Sequence, residues 1–326
     1  MRRRDGLGWL AVLFLLLTLP SPVWAMERIR LAYAPSLPNG LISIAQQNGC
    51  FQAEGVEVVL ERHPIGVDAL DALLANRADM AVVADVPFML ASFNHADLRL
   101  IATIGTSDND DKLVVRAEPG VEGMADLRGR AIGVQPMTSF HYFLHLLLQK
   151  QNMTESDVRL VTAQTNALPD ALAKGTVDAF LGREPVISQA KQRFGGTVRL
   201  LEEPGLYRKS ANLVVRQAWL DQHLVVATQL LRALYQAEKV AYQSRPMVMA
   251  ILAQVLNVPP ATLEPDWRTI RLRLTLTQAL LLMLENEAEW AMGHGWNQGR
   301  AMPNFLHHMD SRAMQAAKPF GVTLLP

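Results

Sequence analysis

Ala78-Asp-Met-Ala-Val-Val-Ala-Asp-Val-Pro87 runs four apolar residues, Met80 to Val83, straight into an Asp-Val-Pro triplet. A short apolar run of this kind reads as a strand buried on both faces. Asp85 can then cap free amides and Pro87 fits a first helical turn. Strand followed at once by helix is the half-unit of an α/β fold, and the flanking sequence repeats it. Ile29 to Ala34 alternates as a strand, and a helix from Leu41 stops at Gly49, a residue that takes a left-handed C-cap without strain. Val56 to Leu60 is extended, Val67 to Ala75 has helical spacing, and Leu98 to Ile104 closes a first block.

A second block repeats the alternation. Leu113–Val115, Ala131–Val134, Val158–Val161, Asp178–Leu181 and Val198–Leu201 read as strands. Thr138–Gln149, Leu168–Lys174 and Pro185–Gln192 read as helices between them. After Asn212–Val215 helices dominate, and Leu276, Leu280, Leu284 and Ala288 share one core-facing stripe. Two successive blocks imply two α/β domains, each around its own sheet.

Composition narrows the function. The 326 residues carry 31 basic and 31 acidic side chains, 50% are hydrophobic and 19% charged. That is too much apolar material for a disordered chain, and zero net charge argues against a nucleic-acid binder. A single cysteine excludes an intramolecular disulfide framework; Cys50 reads as a small buried hydrophobe at a helix end. Residues 1–25 have the layout of a cleavable export signal: Arg2, Arg3 and Arg4, an apolar run from Leu7 to Leu19, then Val23-Trp24-Ala25. No later stretch is long and apolar enough to span a bilayer.

Catalytic patterns are weak. His141 and His145 stand four apart on one helix, but no Glu follows His141 and no third ligand is evident, so neither metal nor cofactor is expected. Ser139 and His141 lack the Gly-x-Ser-x-Gly elbow, and neither a Walker loop nor a dinucleotide fingerprint is present. A binding protein is therefore favoured over an enzyme.

Several stretches, in order, carry a family resemblance: Ile29-Arg-Leu-Ala-Tyr-Ala-Pro35, Gln47-Asn-Gly-Cys-Phe51 with Glu54-Gly55-Val56, and Ala78 to Pro87. Asp126-Leu-Arg-Gly-Arg-Ala-Ile-Gly133, Ser139-Phe-His-Tyr-Phe-Leu144, Gly175-Thr-Val-Asp-Ala179 and Glu184-Pro185 continue it. The chain resembles the periplasmic solute-binding proteins of the nitrate, sulfonate, taurine and thiamine-pyrimidine-precursor group, which serve ABC importers. The resemblance implies an α/β, two-lobe periplasmic binding protein fold (type II) with the ligand in the interlobe cleft. Lobe one would join residues 26–111 and 212–326, and lobe two would be 112–211. It further implies a monomer that hands a small anion to an inner-membrane ABC permease. A pyrimidine precursor or other amine-bearing ligand, and a membrane sensor as the reader, stay open as alternatives.

Local chemistry proposes where the ligand sits. The Thr138-Ser139-Phe140 helix start presents free amides and hydroxyls suited to an anionic group, with His141 one residue further. The loop after the first strand offers Ser36, Asn39 and Gly40. Asp85 and Val86 bring a second helix start toward the cleft, unless Asp85 is only a cap. Arg183 stands where relatives often carry an aromatic before the Glu-Pro pair, here Glu184-Pro185; Arg183 either clamps an oxyanion or is solvated. The acidic stretch Thr106-Ser107-Asp108-Asn109-Asp110-Asp111 beside the hinge reads as a surface loop, because like charges prefer water, while Thr106 faces the cleft. Residues 112–211 hold thirteen basic and ten acidic side chains, which favours an anion held mainly from lobe two.

Overall fold

A computed structural model describes residues 27–117, 122–194 and 198–325. The export signal expected over residues 1–25 lies outside the described residues. Among the described residues eleven strands build two large sheets, and Leu276–Thr277 pairs with Val322–Thr323 in a small third one. In the first part of the chain run β1 (Glu27–Tyr33), β2 (Val56–Arg62), β3 (Met80–Ala84) and β4 (Leu98–Ser107). Then come β5 (Lys112–Arg116), β6 (Ala131–Val134), β7 (Arg159–Thr162), β8 (Ala179–Gly182) and β9 (Val198–Leu201). The last two are β10 (Lys209–Arg216) and β11 (Ile270–Arg271).

The first sheet has the order β11-β4-β10-β3-β1-β2, and the second β7-β6-β8-β5-β9. Each is mixed: β1 runs parallel to β2 and β3, while β10 is antiparallel to β3 and β4. In the second, β6 is parallel to β7 and β8, and β5 antiparallel to β8 and β9. The central strands are apolar because helices cover both faces: four residues of β3 and all four of β8 are buried. The chain thus leaves the first sheet after Ser107, builds the second, and returns at Lys209 to pair with the strand it left.

These two crossings decide how the lobes are joined, and they overturn one expectation. The stretch from Asp108 to Asp111 is not a solvated loop. Asp110 and Asp111 are each 4% exposed, and both accept from the Lys209 ammonium at the head of β10. Lys112, 3% exposed at the head of β5, pairs with Asp266 at 2.5 Å and Glu202 at 3.2 Å and donates to the Asn109 carbonyl. The like charges are buried because each crossing strand begins with a lysine that neutralises them. Burial pushes the Asp266 carboxyl up to about 6, against the opposing pull of Lys112.

A second buried cluster ties the return crossing to the helices of the first lobe. Asp85 is fully buried and accepts from the Tyr207 hydroxyl, from the Ser210 amide at 2.7 Å and from its own neighbour Val86 at 2.9 Å. Glu287, on the helix Gln278–Gly293, is fully buried 3.4 Å from the same hydroxyl, and its Oε2 has no hydrogen-bond partner. Burial first, then the Asp85 charge, lifts Glu287 well above the usual carboxylate range. Burial raises the Asp85 carboxyl too, against the pull of Tyr207, Ser210, Val86 and Lys209; Glu287, whose one partner is the Tyr207 hydroxyl, is the better placed of the two to hold a proton.

Two outcomes follow from these clusters. Asp266→Ala leaves Lys112 buried beside the half-exposed Glu202, and should cost about 3–5 kcal/mol in a urea unfolding series. A loss below about 1 kcal/mol would show that the crossing does not depend on the pair. Glu287 has a raised native pKa, so the folded state holds more protons than the unfolded one between about pH 4.3 and that pKa, and stability falls as pH rises through this window. Glu287→Gln should remove that decline and be the more stable protein at pH 8, measured as melting temperature against pH. An unchanged slope would mean that Glu287 ionises freely.

Candidate functional site

The cleft between the sheets holds a cavity of about 50 Å³, walled by both lobes and by the returning strand. Its first wall is the loop after β1, where the Asn39 amide donates to the Ala34 carbonyl at 2.6 Å and folds Pro35–Asn39 into a tight turn. That loop presses on β4 so closely that a Cβ on Gly105 would lie 2.2 Å from the Pro38 carbonyl oxygen, and only glycine fits there. Gly66 and Val67 open the helix Gly66–Leu74, which follows β2 and points its N-terminus into the cavity. Ile65, its N-cap, makes no side-chain capping bond.

The opposite wall is the start of the helix Ser139–Lys150. Thr138 is its N-cap, but the hydroxyl donates to the Gln135 carbonyl at 2.7 Å instead of capping the helix. The Ser139 and Phe140 amides therefore have no intrahelical acceptor and face the cavity with no acidic residue in the first turn. Gln135 is held by Thr165, whose amide and hydroxyl donate to its Oε1 at 3.0 and 2.8 Å, leaving its own amide group for the cavity. Arg183 and Lys209 complete the wall; their cationic heads lie 6.0 and 5.7 Å from the centre of the Phe140 ring. A neighbouring recess of about 150 Å³ shares Ile65, Phe140 and Arg183; Pro35, Pro64, Pro185 and Val186 give it apolar wall, and Asp68, Gln164, Thr165, Asn166 and Glu184 give it polar wall.

The electrostatics favour negative charge. Lys209 is already neutralised by Asp110 and Asp111; burial raises Asp111, whereas Lys209 and Arg183 outweigh burial at Asp110 and hold it low. Those carboxylates are consumed by the hinge and do not line the cavity. What faces it is Arg183 and the positive ends of two helices.

Of the residues read from the sequence, Asn39, Thr138, Ser139, Phe140 and Arg183 line the cavity, and Glu184 lines the adjoining recess, where its carboxylate caps Ser188 at 3.1 Å. The others lie elsewhere. Ser36 is buried in the turn and gives its carbonyl to the Asn39 amide. A Cβ on Gly40 would meet Leu252 and Leu272, so this residue faces the core. Asp85 and Val86 are fully buried behind the cleft, and Thr106 faces a different cavity on the flank of lobe one.

His141 is also turned away. One residue past Phe140 is a rotation of about 100° around a helix, and this carries His141 to the far side. There its Nε2 lies 3.1 Å from Glu155 and its ring packs against Trp290 and Trp296 at 5.5 and 5.2 Å. His294 reaches the same Glu155 oxygen at 3.3 Å, so the group bridges the lobes outside the cleft. The residues missed by sequence reasoning are Gln135, Lys209, Ser210 and the Gly66-Val67 helix start. Lys209-Ser210 opens the strand that re-enters the first sheet, and only its pairing with β4 places it at the cavity.

Comparison with known proteins agrees with this architecture. Residues 40–245 match the family model described as NMT1/THI5 like. A binding protein of Brucella abortus (strain 2308) is 26% identical over 309 residues, 92% of each chain. An aliphatic sulfonates-binding protein of Escherichia coli (strain K12) is 23% identical over 200 residues, 60% of this chain and 61% of that one. Among solved structures, the alkanesulfonate-binding protein SsuA of Xanthomonas axonopodis pv. citri bound to MOPS superposes with a TM-score of 0.74 at 20% identity, covering 87% of this chain and 98% of that one. The shared fold is therefore that of periplasmic binding proteins. With two sheets, a cleft between them and a family match across most of the described residues, the chain belongs to the NMT1/THI5-like family.

Proposed function

We propose that this protein is the solute-binding component of an ABC importer and that it captures an organic sulfonate between its lobes. It is exported through the leader at residues 1–25, works in the periplasm as a monomer and catalyses no reaction. Lobe one is residues 26–111 with 212–326, and lobe two is 112–211. The observation that carries the reading is the convergence of two helix N-termini without side-chain caps, at Gly66 and Ser139, on one cavity beside Arg183. A sulfonate has three acceptor oxygens and no proton to donate, which matches amides, a hydroxyl and a guanidinium. The recess beyond Arg183 takes the carbon chain along its Pro35, Pro64, Ile65, Pro185 and Val186 wall.

An amine-bearing ligand is disfavoured in the cavity itself because no carboxylate lines it, Asp110 and Asp111 being bound to Lys209; Asp68 and Glu184 stand only in the adjoining recess. The names of the matched relatives, aliphatic sulfonates-binding and alkanesulfonate-binding, support the same class. Binding favours the closed arrangement of the lobes, which is the form a permease would engage.

The test is calorimetric titration of the mature protein with ethanesulfonate, taurine, nitrate and an aminopyrimidine. A sulfonate should bind at one site per chain, and Arg183→Ala should weaken it about 10–100-fold, the range of a hydrogen bond to a charged group. Heat with the aminopyrimidine alone would overturn the sulfonate reading, and unchanged affinity in Arg183→Ala would place that side chain outside the site.

A further inference from the structure

A second basic cavity has only Ser210 in common with the cavity of the interlobe cleft. It sits on the flank of lobe one, between β4, the entry to β10 and the start of the helix Gln278–Gly293, and holds about 270 Å³. That is the space of roughly nine water molecules at ~30 Å³ each. Three guanidinium groups line it, Arg208, Arg271 and Arg273, with the hydroxyls of Thr106, Thr275 and Thr277 between them. No lining residue is acidic.

The grouping, and not the lack of partners, sets the arrangement apart, since Arg62, Arg77, Arg159, Arg232 and Arg268 are also without a carboxylate but stand outside this cavity. Among the described residues neither Arg208 nor Arg273 has an ion-pair or hydrogen-bond partner, whereas Arg128, Arg193, Arg216, Arg245 and Arg312 all have a carboxylate. Arg271 gives one Nη to the carbonyls of Arg268 and Ile270, at 2.7 and 2.9 Å. That contact braces its stem and leaves the other donors of the guanidinium for the cavity. Three like charges around one concavity repel each other, and nothing in the packing of lobe one requires them there. The helix that ends at the cavity adds to the positive field: its N-cap Thr277 makes no side-chain capping bond and its first turn has no acid.

We infer that this cavity is a second anion site, distinct from the interlobe cleft, for a small solute carrying two or more acid groups. Each guanidinium is a planar fork that matches one carboxylate edge, so a single carboxylate cannot use three of them. The concave shape and its volume suit a di- or tricarboxylate, or a phosphate ester that also carries a carboxylate. Arg208 and Ser210 belong to the strand entry that returns from lobe two, and Ser210 lines both cavities. Occupation of the flank site therefore touches a crossing segment on which lobe movement turns.

Citrate and inorganic phosphate serve as probes in calorimetric titrations of the mature protein, compared across wild type, Arg183→Ala and the double variant Arg208→Gln/Arg273→Gln. Citrate should bind at one site per chain, keep its affinity in Arg183→Ala and lose at least 10-fold in the double variant; phosphate should bind more weakly at the same site. All three arginines are exposed, so the double variant should melt within a few degrees of wild type, and Arg208→Lys/Arg273→Lys should recover part of the affinity. Absence of citrate heat, unchanged affinity in the double variant, or loss in Arg183→Ala would each overturn the assignment. Failure of the sulfonate titration leaves this result untouched, because the two sites are read with different ligands and different variants.

Discussion

Two lysines hold this molecule together where it is thinnest. The chain crosses between lobes twice, and each crossing strand starts with a buried ammonium, Lys112 on the way out and Lys209 on the way back. Each is closed by carboxylates from elsewhere: Asp110 and Asp111 on one, Asp266 and Glu202 on the other. Buried pairs of this kind contribute little net stability against an apolar alternative, but they are strongly directional, and breaking one leaves an uncompensated charge. The pairing fixes which strand ends meet at the hinge, and hence where the walls of the cleft face each other.

The character of the cleft follows from that hinge. With Asp110 and Asp111 occupied by Lys209, the acidic stretch no longer opposes an anion. The positive field comes from Arg183 and from backbone amides that the helices at Gly66 and Ser139 cannot satisfy internally. Amides at helix ends are fixed by the fold, so they lose little entropy on binding, unlike a ring of long basic side chains. The Tyr207–Asp85–Glu287 cluster and the imidazole–indole group around Glu155 brace the same crossing from behind, outside the cavity.

Much of the architecture was legible in local pattern. The apolar run Met80–Val83 ahead of Asp85 is indeed a buried strand entering a helix, and Gly49 has the positive φ, 66°, expected of a residue after a helix end. Thr138, Ser139 and Phe140 reach the cavity because a strand followed by a helix start is readable in three adjacent residues. What was not legible depends on separation in the chain. Lys209 neutralises Asp110 from 99 residues away, so the acidic stretch looked solvated. Asp85 looked like a cleft residue or a cap, and its partner Tyr207 is 122 residues distant. His141 was misplaced by one helical step, a rotation that only the packing of Trp290 and Trp296 resolves.

The proposed capture of a sulfonate requires lobes that close on it. Spin labels at Val225→Cys in lobe one and Lys191→Cys in lobe two, both exposed positions, report the interlobe distance by pulsed dipolar spectroscopy; Cys50 is buried and stays unlabelled in the folded chain. Saturating ethanesulfonate should shorten and narrow the distance distribution, and Arg183→Ala should require a higher concentration for the same change. Saturable sulfonate binding with an unchanged distribution would contradict capture between the lobes.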